Sequence, residues 1–370
     1  AGTYSDAGRD MCGGSKGSGL YGHDADDCTL HFKELGFDFI KIDFCGGVGG
    51  EMGPFNRKGN SAATNMNERV RYTAIRQAID RVGRPDVRVN ICRWAYPGTW
   101  VGEVGSSWRV TADIQANWPS VRDIVLECLF LAPYAGGGSY NDMDMLEIGR
   151  GLTEEEERTH FAVWCILSSP LLIGCDLTQI PASSLALLKN RDLIALNQDP
   201  LGLQAQGVAL PAPRRIVFAK DLLENGGLER AVALVNLGDD DYAFSFAVAE
   251  LELAGKVEAR ELVTGTKAET LGEQLCLAVP AHGTRILRLK GERRLERTSY
   301  PAHWAWLSQY QETDMGWRSP SYSYCEDCGR ISVVDVGGSR ENFMEWRGVR
   351  SAEGGAYELE FETGTGLPWG

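Results

Sequence analysis

The sequence predicts an α/β fold followed by antiparallel β domains. Three observations carry that expectation. Helical and extended patterns alternate over residues 1–200, short β-like runs with turn residues between them follow from about 203, and an aromatic-rich, strand-like stretch comes after 298. Repeated βα units require a parallel sheet or a barrel, because a parallel pair needs a crossover long enough to hold a helix.

The stretch Phe37-Asp38-Phe39-Ile40-Lys41-Ile42-Asp43-Phe44-Cys45 anchors the first region. It reads as a short buried strand ending on a carboxylate, with glycines at 46–50 forming a loop lip beyond it. Alternation puts Ile40 and Ile42 on one face and Lys41 and Asp43 on the other. Two ionisable groups on one face of an apolar strand are costly unless they are paired or used. A structural salt bridge and a catalytic pair are both open at this point.

Around this strand, residues 24–35 read as an amphipathic helix, 65–82 as a second helix, and 87–92 as the next strand. A Trp-rich loop, a short strand at 109–114 and a helix over 119–131 come next. Thr153-Glu154-Glu155-Glu156 reads as a capping box opening a helix that ends near Leu167. Pro170 to Gly174 reads as a strand and 181–197 as a helix. The β-sandwich rests on three alternating runs, at 215–219, 230–235 and 284–289. Lys290 to Arg297 reads as a linker. Residues 341–346 and 356–361 read as strands of a third, all-β module.

A net charge of −14 argues against nucleic acid or an anionic membrane surface as partner. No apolar run reaches the roughly 18 residues of a membrane span. Ten cysteines are too sparse for a disulfide scaffold. Cys12 and Cys45 lie in loops just past strand ends, where a bridge fits, while Cys165 and Cys175 sit in apolar runs and read as buried thiols. Cys325-Glu326-Asp327-Cys328 is a lone CxxC without the further ligands a zinc site needs, so no metal is expected. The five histidines (His23, His31, His160, His282 and His303) are scattered and form no triad. Gly13-Gly14-Ser15-Lys16-Gly17 has the spacing of a nucleophile elbow but lacks the strand and helix that flank one.

A second strand-end carboxylate appears in Ser107-Trp108-Arg109-Val110-Thr111-Ala112-Asp113-Ile114. Trp94, Trp100, Trp108 and Trp118 cluster nearby, as rings that stack on sugars do. Two strand-end Asp, each beside a cation, suit a retaining glycosidase in which one carboxylate attacks and the other donates and then takes a proton. Lys41 would keep Asp43 ionised. Arg109 would bind a sugar hydroxyl, since an adjacent cation works against a protonated acid.

At these residues the chain resembles glycoside hydrolase family 27, the α-galactosidase and α-N-acetylgalactosaminidase family. The matching stretches are Tyr4-Ser5-Asp6-Ala7-Gly8, Cys12, Lys41 to Cys45, Cys92-Arg93-Trp94, Trp108 to Ile114, Asn141 to Leu146, Pro170 to Leu177 and Ala195 to Gly202. The resemblance implies a (β/α)8 barrel over 1–202, a β-sandwich over 203–290 and no cofactor. It implies Asp43 as nucleophile and Asp113 as general acid/base. It further implies substrate-binding roles for Tyr4, Lys41, Arg93, Trp94 and Arg109, sugar-side placement of a Cys12–Cys45 bridge, and pocket support from Asp144.

Residues 298–370 look like part of a carbohydrate-binding module. With the bridge, that module points to secretion or a bacterial periplasm. Two departures stand out. Arg93 occupies the position where the family's galactosidases carry Glu and its N-acetylgalactosaminidases a small residue, at the sugar's 2-substituent. Tyr4 aligns with the end of the family's third barrel strand, so the first strands are expected to be missing and the chain to be a piece of a longer product. The expected activity is hydrolysis of terminal α-linked galactose from oligo- or polysaccharides. The alternatives are β-L-arabinopyranosidase, α-N-acetylgalactosaminidase or isomalto-dextranase activity, or a non-catalytic glycan-binding protein.

Overall fold

The computed structural model describes residues 1–12, 15–46, 66–223, 227–266, 269–311, 319–325, 330–337, 340–351 and 354–361. Its first region is a parallel sheet in chain order, β1 (Gly2–Asp6), β2 (Phe39–Asp43), β3 (Arg88–Ile91), β4 (Ser107–Arg109) and β5 (Tyr140–Asp142). Sequential parallel neighbours joined by helical crossovers make the wall of a β/α barrel. Beyond β5, among the described residues, the wall continues only as the parallel bridge Leu146↔Ile173, so the strand expected over 170–174 is a single contact. Pro170, with no N–H, cannot donate to a ladder there.

The helices are α1 (Asp24–Cys28), continued by a π-helical turn over Thr29–Glu34, then α2 (Glu68–Arg81), α3 (Trp118–Cys128), α4 (Glu154–Ile166), α5 (Ala182–Leu188) and α6 (Arg191–Asn197). Thr153 and Glu156 form the expected capping box, with Glu156 Oε2 accepting from the Thr153 N–H at 2.8 Å. The helix expected over 181–197 is two helices broken at Asn190. Its Oδ1 accepts from the N–H groups of Asp192 and Leu193, and its Nδ2 donates to Leu262 and Val263 carbonyls of the next domain. A side chain that caps one helix and bridges domains terminates the helix before it.

The sandwich sets a six-stranded antiparallel sheet against smaller pairs. The sheet orders β12 (Glu269–Leu271), β11 (Val257–Glu261), β14 (Thr284–Lys290), β8 (Glu229–Asn236), β7 (Arg215–Asp221) and β6 (Gln206–Ala212). The pairs are β9 (Tyr242–Ala247) with β13 (Gln274–Val279), and β10 (Leu253–Ala254) with β15 (Arg293–Arg294). Every residue of β8 is buried, because both of its faces are covered. Val232 and Leu234 enter the sandwich core, while Ala231, Ala233 and Val235 join the barrel core. Alternation thus welds the two domains through one strand.

The stretch 290–297 is built structure rather than a linker. Arg294 and Arg297 both pair with Glu252, and Arg294 also meets Asp221 at 2.8 Å. Beyond it, β16 (Trp306–Leu307) pairs with β19 (Met344–Glu345), and β17 (Ser321–Cys325) with β18 (Arg330–Val334). The stretch 356–361 forms no strand and lies exposed. Leu307 and Tyr310 join the barrel core, and the Leu307 N–H donates to the Tyr134 hydroxyl at 3.0 Å. Cys325 is disulfide-bonded, and the rest of that CxxC lies outside the described residues, as do Gly13, Gly14 and the glycines at 47–50.

Candidate active site

Parallel register places Tyr4 beside Lys41 and Asp6 beside Asp43, at the C-terminal ends of β1 and β2. In a β/α barrel this is the end that carries chemistry. Asp43 is 5% exposed. Its Oδ2 accepts from the Tyr4 hydroxyl at 2.6 Å, and its Oδ1 lies 3.2 Å from Lys41 Nζ. Burial, and then the Asp43 carboxylate, push the Tyr4 phenol upward, so it stays a neutral donor. Burial disfavours the Lys41 charge, yet its pKa is raised, with the Asp43 carboxylate beside it holding the charge on. Asp43 therefore faces one fixed hydroxyl and one fixed cation.

Cys12 and Cys45 form a disulfide. Cys12 Sγ lies 3.3 Å from Asp43 Oδ2; a bridged sulfur has no proton, so this is a packing contact. The bridge is set from below by Asp6, fully buried, which the sequence reading passed over. Its carboxylate accepts from the backbone N–H groups of Gly8 at 2.7 Å, Cys45 at 2.8 Å and Gly46 at 3.0 Å. With Cys12 and Cys45 it is the one metal-like grouping among the described residues, and both sulfurs are spent on the bridge.

The second carboxylate leaves the sheet. β4 ends at Arg109, the Val110 N–H still donates to the Asp142 carbonyl at 3.2 Å, and the chain then turns outward. Asp113 thus hangs on a loop with its side chain 71% exposed, not at the end of a strand over 109–114. Trp94 Nε1 donates to it at 3.1 Å and Arg109 Nη2 at 3.0 Å. Arg109 is buried and shared, with Asp144 Oδ2 at 2.6 Å. Burial opposes the Arg109 charge, while Asp144, Asp142 and Asp113 hold it on. Arg109 is therefore a partner of the second carboxylate, where a contact to a sugar hydroxyl had been expected.

Asp144 clamps the loop. It accepts from the Ile114 N–H at 2.8 Å and takes a left-handed backbone, φ 78°. That conformation is strained for a residue with a Cβ, and it aims the carboxylate at Arg109. Asp142 and Asn90 form the floor: Asp142 accepts from Asn90 Nδ2 at 2.7 Å and from the Asp144 N–H at 2.9 Å. Burial raises the Asp142 pKa. Neither floor residue was assigned a role from the sequence, although Asp142 lies in a stretch that carries the resemblance.

Two expectations are corrected. Arg93 is 1% exposed, ion-paired with Glu68 of α2, and donates to the Tyr96 carbonyl at 2.9 Å, so it does not face the open site. The clustered tryptophans are all buried. Trp100 stacks on Tyr72, Trp118 on His282, and Trp108 Nε1 donates to Asn141 at 2.7 Å. Trp94, with φ 60°, orients Asp113 and offers no open ring. Cys165 is buried as expected; Cys175 is partly exposed.

Residues 1–199 match the family model for α-galactosidase A, and residues 215–289 match the model for the C-terminal β-sandwich domain of α-galactosidases. The α-galactosidase A of Cellvibrio japonicus is 35% identical over 313 residues, covering 78% of this chain and 71% of that protein. Alpha-galactosidase 3 of Arabidopsis thaliana is 40% identical over 210 residues, covering 56% of this chain and 44% of that protein. The crystal structure of α-galactosidase I from Mortierella vinacea superposes with a TM-score of 0.69 at 26% identity, covering 80% of this chain and 78% of that one. A β-L-arabinopyranosidase of Geobacillus stearothermophilus shares the fold at 22% identity and a TM-score of 0.64. With a barrel wall, a sandwich behind it and these matches over most of its length, the chain belongs to glycoside hydrolase family 27, the α-galactosidases.

Proposed function

We propose that this glycoside hydrolase removes terminal α-linked galactose by double displacement, with Asp43 as nucleophile and Asp113 as general acid/base. The observation that carries the assignment is the contrast between the two carboxylates. Asp43 is buried and held by Tyr4 and Lys41, while Asp113 stands open to solvent on a loop. Paired carboxylates in unlike settings divide nucleophile from acid/base. Asp43 attacks the anomeric carbon as Asp113 gives its proton to the leaving oxygen. Water, deprotonated by Asp113, then displaces Asp43 and restores both groups. Arg109 Nη2 is shared between the two acids, with Asp144 at 2.6 Å and Asp113 at 3.0 Å.

A panel of aryl glycosides tests this reading. Turnover of the α-galactoside, absent in Asp43→Asn, supports it; turnover of the α-N-acetylgalactosaminide or β-L-arabinopyranoside in its place overturns the sugar assignment. The Cys12–Cys45 disulfide supports an oxidising compartment, outside the cytosol, as the place of action.

A further inference from the structure

Two donors from different loops converge on one oxygen of Asp113. Trp94 Nε1 lies 3.1 Å from Oδ1, and Arg109 Nη2 lies 3.0 Å from the same atom. Among the described residues, no hydrogen bond reaches Oδ2. A carboxylic acid accepts through its carbonyl oxygen and donates through its hydroxyl. An oxygen that already accepts two N–H groups cannot also present a proton to them, so the proton belongs on Oδ2. The two donors differ in what they can spare. Arg109 Nη2 is divided between Asp113, Asp144 Oδ2 at 2.6 Å and the Thr111 carbonyl at 3.4 Å. It also brings a charge, which favours the ionised acid. The Trp94 indole is neutral, so it fixes Oδ1 with less bias against the proton.

The backbone holds Trp94 for this contact. The residue is buried and follows Arg93, which pairs with Glu68 of α2 and donates to the Tyr96 carbonyl. Its φ of 60° lies in the left-handed region, where a bulky side chain is strained and glycine is not. Strain kept beside a reacting group points to a role for the residue that bears it. The turn carries the indole from the loop after β3 to the loop after β4, its neighbour in the sheet.

We propose that Trp94 is a positioning residue for proton transfer: by pinning Oδ1 it presents Oδ2 of Asp113 as the atom that delivers the proton. The Oδ2–H bond breaks as the leaving oxygen, keeping the electron pair of the broken C–O bond, takes that proton. In the second half, Oδ2 takes a proton back from the attacking water. This rests on the reading of Asp113 as general acid/base.

The test is a ratio of kcat/KM values, measured on the full chain with two substrates. An α-galactosyl disaccharide has a leaving group that needs a proton, whereas dinitrophenyl α-galactoside has one that leaves without it. A merely structural role moves both rates together and leaves the ratio unchanged. Trp94→Phe keeps the bulk and removes the donor; Trp94→His sets its Nε2 where the indole carries Nε1, keeping the donor without the bulk. Trp94→Phe is expected to lower the disaccharide-to-aryl ratio about fivefold or more, while Trp94→His stays within about twofold of the parent. An unchanged ratio in Trp94→Phe, or an equal fall in both variants, overturns the proposal. Asp113→Ala is the control, expected to lower the ratio about 100-fold or more. A ratio that Asp113→Ala leaves unchanged overturns the acid/base reading itself, and the proposal with it, which is a separate outcome from failure of Trp94→Phe alone.

Discussion

Asp6 and Asp43 are register partners at the ends of neighbouring parallel strands, both buried, and they divide the work of one site between them. Asp43 faces the open side through Tyr4 and Lys41. Asp6 turns its oxygens to three backbone N–H groups, two of them in the loop that carries the disulfide. Like charges placed side by side repel, and the backbone donors offset this for Asp6.

Asp6→Asn tests that division. An amide in place of the carboxylate puts an NH2 group against backbone donors and removes charge-assisted bonds. A stability loss of about 2 kcal/mol is expected, with kcat reduced because the Cys45 loop shifts. Chemical denaturation and steady-state kinetics read the two effects.

Tyr4→Phe removes the donor 2.6 Å from Asp43 and leaves the ring under Lys41, whose Nζ lies 5.5 Å from its centroid. One charge-assisted hydrogen bond corresponds to a fall in kcat/KM of about 10- to 100-fold. An unchanged melting curve alongside that fall assigns the effect to the site.

Glu68 and Arg93 make a buried ion pair between α2 and the end of β3. Glu68→Ala leaves an uncompensated buried cation and is expected to cost about 3–5 kcal/mol. Adding Arg93→Met is expected to recover most of that loss. Urea melts of the two single variants and the double variant measure the coupling.

His160 is fully buried on α4 and accepts from the Glu147 N–H at 2.9 Å, and burial lowers its pKa from 6.5 to about 3. Between those values the unfolded chain binds a proton that the folded protein refuses. The sign is therefore a loss of stability as pH falls below about 6.5, approaching 1.4 kcal/mol per pH unit and ending near pH 3. His160→Gln is expected to lower stability at pH 7 and to flatten that slope. Melts across pH 4–7 check it.

Much of the site was legible because its signals are local. Lys41 and Asp43 stand out as charges on one face of an apolar strand, and Thr153 and Glu156 cap one helix turn apart. What was missed depends on partners remote in sequence. Arg93 reads as a sugar contact until Glu68, 25 positions upstream, is seen to hold it. The tryptophans of the 94–118 segment read as platforms because sequence cannot show which face of a loop is covered; α2, Asn141 and the sandwich cover them. Arg294 and Arg297 read as a linker because their partner Glu252 lies in another turn of the chain. Asp6 and Asp142 stand in stretches that carry the resemblance, yet like Asn90 they were given no role, since an acid or amide at a strand end is ordinary until its donors are known.

The most direct measurement of the central claim is covalent trapping with a fluorinated α-galactoside that slows release of the glycosyl-enzyme. The account predicts one added sugar mass on the peptide containing Asp43, lost in Asp43→Asn, with α-galactose as the first product released in turnover. Label on another carboxylate, or β-galactose as the first product, would contradict it.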